Sequence, residues 1–268
     1  MNKILVVSSS KKYISKELDI KFDKEIVLED KNNYDEIIKE IKKYNEAYFI
    51  DFEDDYRKIL PLIPFKTKCI SILTNEIAEF TDIKIFNKYR EIIEFYDRLI
   101  IKKILVFNYD LYEVMKNTGY DIELLKIDLD LNVKKVKSDK KIVGIISSDD
   151  NPHNNFYNIL TALTMVNADE IKLISHSSAT KEFIERFNLP VKYCNDIDEV
   201  INGSTLNIYS NFASTNLLLL KKSLDKKIPC IIGNCDYKLR KEYDSNLVLI
   251  SDDDVSELSK LISKVWEA

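Results

Sequence analysis

The sequence predicts an α/β protein with two doubly wound parallel sheets, one in each half of the chain, in domains that face a cleft. Short apolar segments alternate with amphipathic helical segments through the first half of the 268 residues, and the alternation begins again near residue 141. This alternation is typical of parallel sheets that are covered by helices on both faces. The length also suits two domains of roughly 130 residues each.

The first half opens with the continuous apolar run "KILVVSS" at 3–9, which is expected of a strand buried on both faces. Further strands are predicted at 25–30, 47–52 and 68–74, and helices at 33–45 and 87–96. The segment 97–119 contains a strand and then a helix that ends at Gly119, and the segment 122–131 closes the half.

The second half repeats the pattern with more elements. Strands are predicted at 141–148, 170–177, 190–195, 204–211, 229–234 and 245–251. Helices are predicted at 155–167, 179–188, 196–203, 214–226 and 252–268. The lysine-rich stretch 134–141 has no apolar period, so it is predicted to link domains at 1–133 and 142–268.

The composition excludes some classes of protein. The net charge is −5 and the sequence pI is about 5.4, so a nucleic-acid partner is not expected. No window approaches 18 apolar residues, which argues against a transmembrane helix. The N-terminus "MNKILVVSSSKKY" has too short an apolar core for a signal peptide, and we therefore expect a cytoplasmic protein.

The cysteines and glycines limit the possible chemistry. The four cysteines have no CxxC spacing and lie in or beside apolar runs, so we expect buried thiols in a reducing compartment. The chain has only 4 glycines, where average usage would give roughly 19. Neither GxGxxG nor GxxxxGK[ST] occurs, so both common nucleotide fingerprints are absent.

The strongest candidate ligand site follows the predicted strand 204–211. Because ligands of parallel α/β sheets bind beyond the carboxyl ends of the strands, polar residues there are informative. Five hydroxyl or amide side chains precede the helix that starts "LLLLKK", namely Ser210, Asn211, Ser214, Thr215 and Asn216. They can cradle an anion or sugar hydroxyls over the helix N–H groups, although ordinary N-capping needs only one of them.

A second candidate loop follows the strand 141–148. Ser147, Ser148 and Asn154 offer donors close to the start of a helix, but Asp149 and Asp150 would repel an anion. An ordinary Asx turn and helix cap would explain the same residues.

The two histidines also lie in loops that follow strands of the second half. His153 is in the loop after 141–148, and His176 ends the next strand. Their spacing fits no zinc motif, so no metal site is predicted.

The loop after the first strand, "SSSKKY", is the candidate site of the first half. Ser8, Ser9, Ser10 and Lys11 lie where the strand 3–9 ends and can meet a polar ligand or a phosphate.

Four segments of the chain resemble parts of a known family in the same order. They are "YDRLIIKKILVFNYDLYEVMKNTGYDIELLKIDLD", "KIVGIISSDDNPHNNFYNILTAL", "STLNIYSNFASTNLLLLKKSLDKKIPCIIGN" and "LVLISDDDVSELSKLI". The chain resembles a GT-B glycosyltransferase, most closely of the family 4 type, with a shortened first half. The resemblance implies two Rossmann-like domains, an acceptor-type domain at 1–133 and a nucleotide-sugar-binding type of domain at 142–268.

The chain departs from that family at its charged positions. Aligned from Ser210, the family's Glu-x7-Glu pair falls on Ala213 and Lys221. The family's lysine after the first donor-domain strand falls near Asn154, and the accompanying arginine is missing. Its glycine-rich turn after the next strand is "SHSS" here, and its histidine after the fourth strand is absent from "TNEIAEF".

Three functions remain open, and no catalytic residue is assigned. The first is transfer of a sugar from a UDP- or GDP-sugar to a glycan, lipid or protein acceptor, without a prosthetic group. Ser147, Ser148, Asn154, His176 and the 210–216 residues would then face the donor, and Ser8 to Lys11 the acceptor. The second is an inactive pseudo-glycosyltransferase that acts as a partner or chaperone subunit of an active transferase. The third is another two-domain α/β binder or epimerase-like enzyme.

Overall fold

The computed structural model describes residues 2–16, 18–29, 32–75, 77–125, 127, 129, 138–147, 154–175, 177–209, 217–233, 248–251 and 254–267. The chain forms two compact units, Met1–Ile127 and Asp128–Ala268. Each unit contains a sheet of six strands in which every pairing is parallel. The predicted fold class of two doubly wound, Rossmann-like sheets is confirmed.

The first sheet has the strand order β2-β1-β3-β4-β5-β6. Its strands are β1 Lys3–Ser8, β2 Lys24–Leu28, β3 Glu46–Ile50, β4 Lys68–Leu73, β5 Ile101–Val106 and β6 Ile122–Leu124. After β1 the chain moves outward to β2, and it then returns to the other side of β1 to form β3. The order therefore reverses between β1 and β3, and such a switch point is where open α/β sheets bind ligands.

Of the described α-helices of the first unit, three begin at a side-chain cap and two do not. They are α1 Lys12–Ser15, α2 Tyr34–Ile41, α3 Tyr56–Ile59, α4 Ile83–Asp97 and α5 Tyr109–Met115. The side chains of Asn33, Asp82 and Asn108 accept backbone N–H groups at the starts of α2, α4 and α5. Each cap satisfies a donor that the helix itself leaves unpaired.

Tyr56 joins the two strands at the switch point of the first sheet. Its side chain is fully buried against Phe49 and Phe52. Its hydroxyl is shared between the carbonyl oxygens of Val6 in β1 and Ile50 in β3, at 3.1 and 3.2 Å. Burial raises the pKa of this hydroxyl well above its ordinary value, so it stays a hydrogen-bond donor.

The second sheet has the order β12-β11-β10-β7-β8-β9. Its strands are β7 Ile142–Ile145, β8 Glu170–Leu173, β9 Val191–Tyr193, β10 Leu206–Tyr209, β11 Cys230–Gly233 and β12 Val248–Ser251. The order reverses between β7 and β10. The N–H of Ile146 donates to the Ile208 carbonyl at 2.9 Å, so the two strands stay together beyond the end of β7.

Gly144 allows β7 and β10 to approach closely. It pairs with Asn207, whose amide nitrogen donates to Ser223 Oγ at 3.0 Å. A Cβ atom at position 144 would lie 2.3 Å from Asn207 Oδ1, 2.8 Å from Ser204 Oγ and 2.9 Å from the Val200 carbonyl oxygen. The missing side chain thus makes room for a buried polar contact between the sheet and the following helix.

Helices from the beginning and from the end of the second unit pack on its sheet. They are α6 Phe156–Leu163, α7 Ser178–Phe187, α8 Ile197–Ile201, α9 Leu217–Asp225 and α10 Val255–Glu267. Leu258, Ile262 and Val265 of α10 are buried in the same core as Val143 of β7. The ammonium of Lys141, just before β7, lies 5.5 Å from the ring centre of Trp266.

Several predicted boundaries are wrong by a few residues. The strand predicted at 47–52 ends at Ile50, because Asp51 has a φ of +50°. The helix predicted at 87–96 begins at Ile83, where Asp82 caps it. The helix predicted to end at Gly119 ends at Met115, and Gly119 (φ +85°) lies in the turn before β6. Half of the predicted linker at 134–141, residues 134–137, lies outside the described residues.

Three cysteines, Cys69, Cys194 and Cys230, are free and buried, as the sequence predicts. Burial raises the pKa of the Cys69 and Cys230 thiols to about 12, which leaves them protonated and unreactive at neutral pH. Cys235 lies outside the described residues. Within the described part of the chain, no helix is long and apolar enough to cross a membrane.

Replacing Tyr56 with Phe is expected to lower the free energy of unfolding by about 1–2 kcal/mol, because two buried carbonyl groups lose a shared donor while packing is preserved. Equilibrium urea denaturation followed by circular dichroism measures the loss. Tyr120→Phe is the control, since this half-buried tyrosine packs edge-on against Tyr96 and its hydroxyl makes no hydrogen bond within the described residues. Equal losses for the two variants would contradict the bridging role of Tyr56.

Gly144→Ala is expected to destabilise the second unit by about 1–3 kcal/mol, because the new methyl group overlaps Asn207 and Ser204. The fluorescence of Trp266, the single tryptophan of the chain, reports unfolding of this unit. The penalty should be smaller in an Asn207→Ala background, where the nearest overlapping atom is gone. An unchanged penalty there would show that the Asn207 contact is not the cause.

Candidate functional site

Asp51 lies at the switch point of the first sheet, immediately after β3. Its side chain is almost fully buried, with 4% exposed, and its backbone adopts the left-handed conformation. Aspartate tolerates that conformation better than most residues, but it is uncommon outside glycine and marks a constrained position. The backbone N–H of Asp51 still donates to the Ile72 carbonyl at 2.7 Å, so the turn stays attached to β4.

The carboxylate of Asp51 accepts hydrogen bonds from three donors. Thr74, just after β4, donates its backbone N–H to one oxygen and its hydroxyl to the other, both at 2.7 Å. Lys11, in the loop after β1, forms an ion pair with Asp51. One carboxylate therefore ties together the ends of three neighbouring strands, β1, β3 and β4.

A second charged pair flanks the first. Glu53 accepts a hydrogen bond from Ser8 Oγ at 3.2 Å, and its other oxygen lies 3.5 Å from the ammonium of Lys88 in α4. The two predicted residues Ser8 and Lys11 are thus both engaged by carboxylates that follow β3. Ser9 is exposed, and the side chain of Ser10 lies outside the described part of the structure.

A cavity of about 130 Å³ opens beside these pairs. Its polar lining consists of Lys11, Asp51, Asn75 and Lys88. Its apolar lining consists of Phe52, Leu73, Ile85, Tyr89 and Ile92. A concave, mainly apolar site with a few convergent polar groups is typical of small-molecule binding.

Ser147 lies at the switch point of the second sheet, beyond the end of β7. The side chain is 7% exposed, and its hydroxyl is buried without a hydrogen-bond partner among the described residues. Asn155, which is 2% exposed, precedes α6 and does not cap that helix with its side chain. Buried polar groups are nearly always hydrogen-bonded, so a buried hydroxyl of this kind is a candidate ligand contact.

Most of the predicted donor-side residues lie outside the described part of the structure. These are Ser148, His176, Ser210, Asn211, Ser214, Thr215 and Asn216; the loop histidine His153 is also outside the described residues. Asn154 is described and is half-buried just before α6. The proposed contacts of the donor-side residues with a ligand therefore remain predictions from the sequence.

The two lysines of α9 are engaged with carboxylates and do not form a basic solvent-exposed face. Lys221 pairs with Asp225 of the same helix at 2.7 Å, and its side chain is only 16% exposed. Lys222 is buried and pairs with Asp198 of α8. Both cations are thus engaged in ion pairs inside the second unit.

Sequence reasoning missed the most highly connected residue of the first site. Asp51 was hidden because the predicted strand 47–52 included it, although the letters "DFEDD" after four apolar residues are a signal for a polar loop. Thr74, Asn75, Lys88 and Tyr89 were also missed. These residues come together only in the folded chain. The contact between Lys11 and Asp51, which are 40 residues apart in the sequence, is an example. Among the described residues, no group of three or more His, Cys, Asp or Glu side chains could hold a metal ion.

Solved structures with the GT-B fold resemble the chain over nearly its whole length. HepE from Anabaena, in complex with UDP, is 11% identical with a TM-score of 0.61, covering 100% of this chain and 90% of that chain. Sucrose-phosphate synthase from Thermosynechococcus elongatus is 8% identical with a TM-score of 0.63 and the same coverage. An α-glucosyltransferase in complex with UDP-glucose and DNA is 11% identical with a TM-score of 0.63, covering 99% and 90%.

At such low identities the likeness establishes the fold, and the chain has the GT-B fold. No family model and no curated protein sequence matches the chain. The resemblance to family 4 in particular therefore rests on the segments quoted from the sequence.

The left-handed backbone at Asp51 predicts an unusual ranking of substitutions. Asp51→Gly and Asp51→Ala both remove the carboxylate, but only alanine must bear the left-handed strain, so the alanine variant should be less stable by roughly 1 kcal/mol. Urea denaturation of the two variants measures the difference. At Asp54, which is exposed and has no positive φ, alanine should equal or exceed glycine in stability. The same ranking at both positions would argue against strain at Asp51.

Proposed function

We propose that the protein is a glycosyltransferase that moves a sugar from a nucleotide-diphosphate sugar to an acceptor. The observation that carries this proposal is the likeness of the entire chain to nucleotide-bound GT-B structures. The Anabaena protein HepE was solved with UDP and also with UDP and glucose, and these structures match 100% and 98% of this chain. UDP-sugars are therefore the first donors to test, and GDP-sugars the second.

The proposed donor site lies at the second switch point, where β7 and β10 end. Ser147, with its buried hydroxyl, and Asn154, before α6, would face the diphosphate or the sugar. Ser148, His176 and the residues Ser210, Asn211, Ser214, Thr215 and Asn216 complete the proposed donor set. The departing nucleoside diphosphate gains negative charge, which hydroxyl donors and the positive end of α6 would stabilise.

The proposed acceptor site lies in the first unit. We propose an acceptor domain at 1–133, which contains that unit, followed by a linker at 134–141 and a donor domain at 142–268. Ser8, Ser9, Ser10 and Lys11 form its edge after β1. The proposed acceptor is a glycan, a lipid or a protein. The free, buried thiols fit a reducing compartment, so we propose a cytoplasmic location.

An inactive pseudo-glycosyltransferase that serves as a partner of an active enzyme is the second candidate. The observation that favours it is the pairing of Lys221, at the position of the family's second glutamate, with Asp225. A lysine held by its own helix cannot replace a carboxylate that would face the donor. This candidate predicts nucleotide binding without sugar transfer, or no nucleotide binding at all.

Thermal-shift titration with UDP, GDP and their sugar conjugates tests the donor site. A ligand at 100 times its dissociation constant should add about 2.7 kcal/mol to the free energy of unfolding. Ser147→Ala should reduce that ligand-dependent shift. It should leave the stability of the unliganded protein equal or slightly higher, because an unsatisfied buried hydroxyl is removed.

Ser138→Ala is the matched control, because Ser138 is exposed at the opposite end of β7 in the same unit. The control should retain the full ligand-dependent shift. If Ser147→Ala and Ser138→Ala respond to UDP equally, Ser147 is no part of a donor site. Release of UDP from UDP-glucose in the presence of acceptors then distinguishes an active transferase from an inactive one.

A further inference from the structure

We propose that the cavity at the first switch point binds a single uncharged sugar ring of the acceptor. Lys11 would donate hydrogen bonds to the ring hydroxyls, and Asp51 would act as the residue that positions Lys11. This inference rests on the proposed function, because a bound sugar is an acceptor only if the protein is a transferase. The described residues that line the cavity belong to the first unit.

The charge balance of the cavity argues for an uncharged ligand. Lys11 is paired with Asp51, and Lys88 lies 3.5 Å from Glu53, so both lysines of the described lining lie beside a carboxylate. A phosphate or carboxylate ligand would have to compete with two fixed anions, one of which is almost fully buried. A neutral hydroxyl group can instead accept a hydrogen bond from the ammonium of Lys11 without adding a third anion.

The shape and the remaining walls fit a sugar ring. The volume of about 130 Å³ is several times what one water molecule needs. Polar groups line one part, and Phe52, Leu73, Ile85, Tyr89 and Ile92 line the rest. A pyranose presents hydroxyl edges and apolar C–H faces, so it can satisfy both kinds of lining at once.

The geometry of Asp51 separates its role from that of Lys11. The carboxylate already accepts from the Thr74 backbone, the Thr74 hydroxyl and Lys11, and it is nearly inaccessible to solvent. The side chain of Lys11 is 27% exposed, so a ligand can reach it while Asp51 holds it in place. Asp51 is therefore a positioning residue, and Lys11 is the residue expected to touch the ligand.

Binding of simple sugars to the full chain tests the proposal without any nucleotide. The probes are the methyl glycosides of glucose, galactose, mannose and N-acetylglucosamine, observed by saturation-transfer NMR with titration of the best binder. Lys11→Met should weaken that binder at least about tenfold, because a charge-assisted hydrogen bond is lost. Lys12→Met removes the same charge from the exposed neighbouring residue and should bind like the wild type.

The Asp51→Asn variant tests whether Asp51 positions Lys11. Asparagine tolerates the left-handed backbone but places an amide where Lys11 needs an anion. Asp51→Asn should therefore weaken the glycoside about as much as Lys11→Met, and the double variant should be no weaker than Lys11→Met alone. Additive losses would show that Asp51 does not act through Lys11 and would overturn its positioning role.

The outcomes also separate this inference from the proposed function. Glycoside binding that depends on Lys11, in a chain that ignores UDP and GDP, would support the sugar cavity and contradict the transferase. Nucleotide binding without any saturation transfer to the four glycosides would overturn the sugar cavity and leave the transferase standing. A thermal shift with inorganic phosphate that is lost in Lys11→Met would also overturn it, because the cavity would then be an anion site.

Discussion

The first site depends on the hydroxyl of Tyr56, which holds two strands of the first sheet together. It is shared between carbonyl groups of β1 and β3, the two strands between which the sheet order reverses. Ile50, one of its two partners, is followed directly by Asp51, whose left-handed turn directs a carboxylate towards Thr74 and Lys11. The buried aromatic cluster of Phe49, Phe52 and Tyr56 therefore fixes a polar site at the edge of the sheet, because a rigid core leaves the turn little freedom.

The charged side chains are arranged differently at the two switch points. At the first, lysines and carboxylates neutralise one another beside a cavity, through Lys11 with Asp51 and Lys88 with Glu53. At the second, the described polar groups are neutral, and the nearby lysines of α9 are engaged with Asp225 and Asp198. The proposed transfer would therefore rely on hydroxyl and backbone donors to stabilise the departing diphosphate.

The sequence predicts the strands and their parallel arrangement well, because central strands such as β3 and β10 are short apolar runs that are buried on both faces. Its errors lie at the ends of elements, where single residues decide. Asp51 ends β3 through its own backbone conformation, and Asp82 starts α4 through its side chain. The site was only partly predictable for the same reason: Ser8 and Lys11 stand out as a polar loop, whereas Thr74, Lys88 and Tyr89 join them only through tertiary contacts.

The position of α10 in the second core has a consequence for synthesis on the ribosome. The buried core of the first unit takes its members from residues up to Met115. The second core combines Val143 of β7 with Leu258 and Ile262 of α10, and Lys141 lies over the ring of Trp266. The first unit can therefore close while translation continues, but the second stays incomplete until α10 has emerged. Until then the apolar residues that α10 covers stay exposed, so the second unit presents aggregation-prone surface during synthesis.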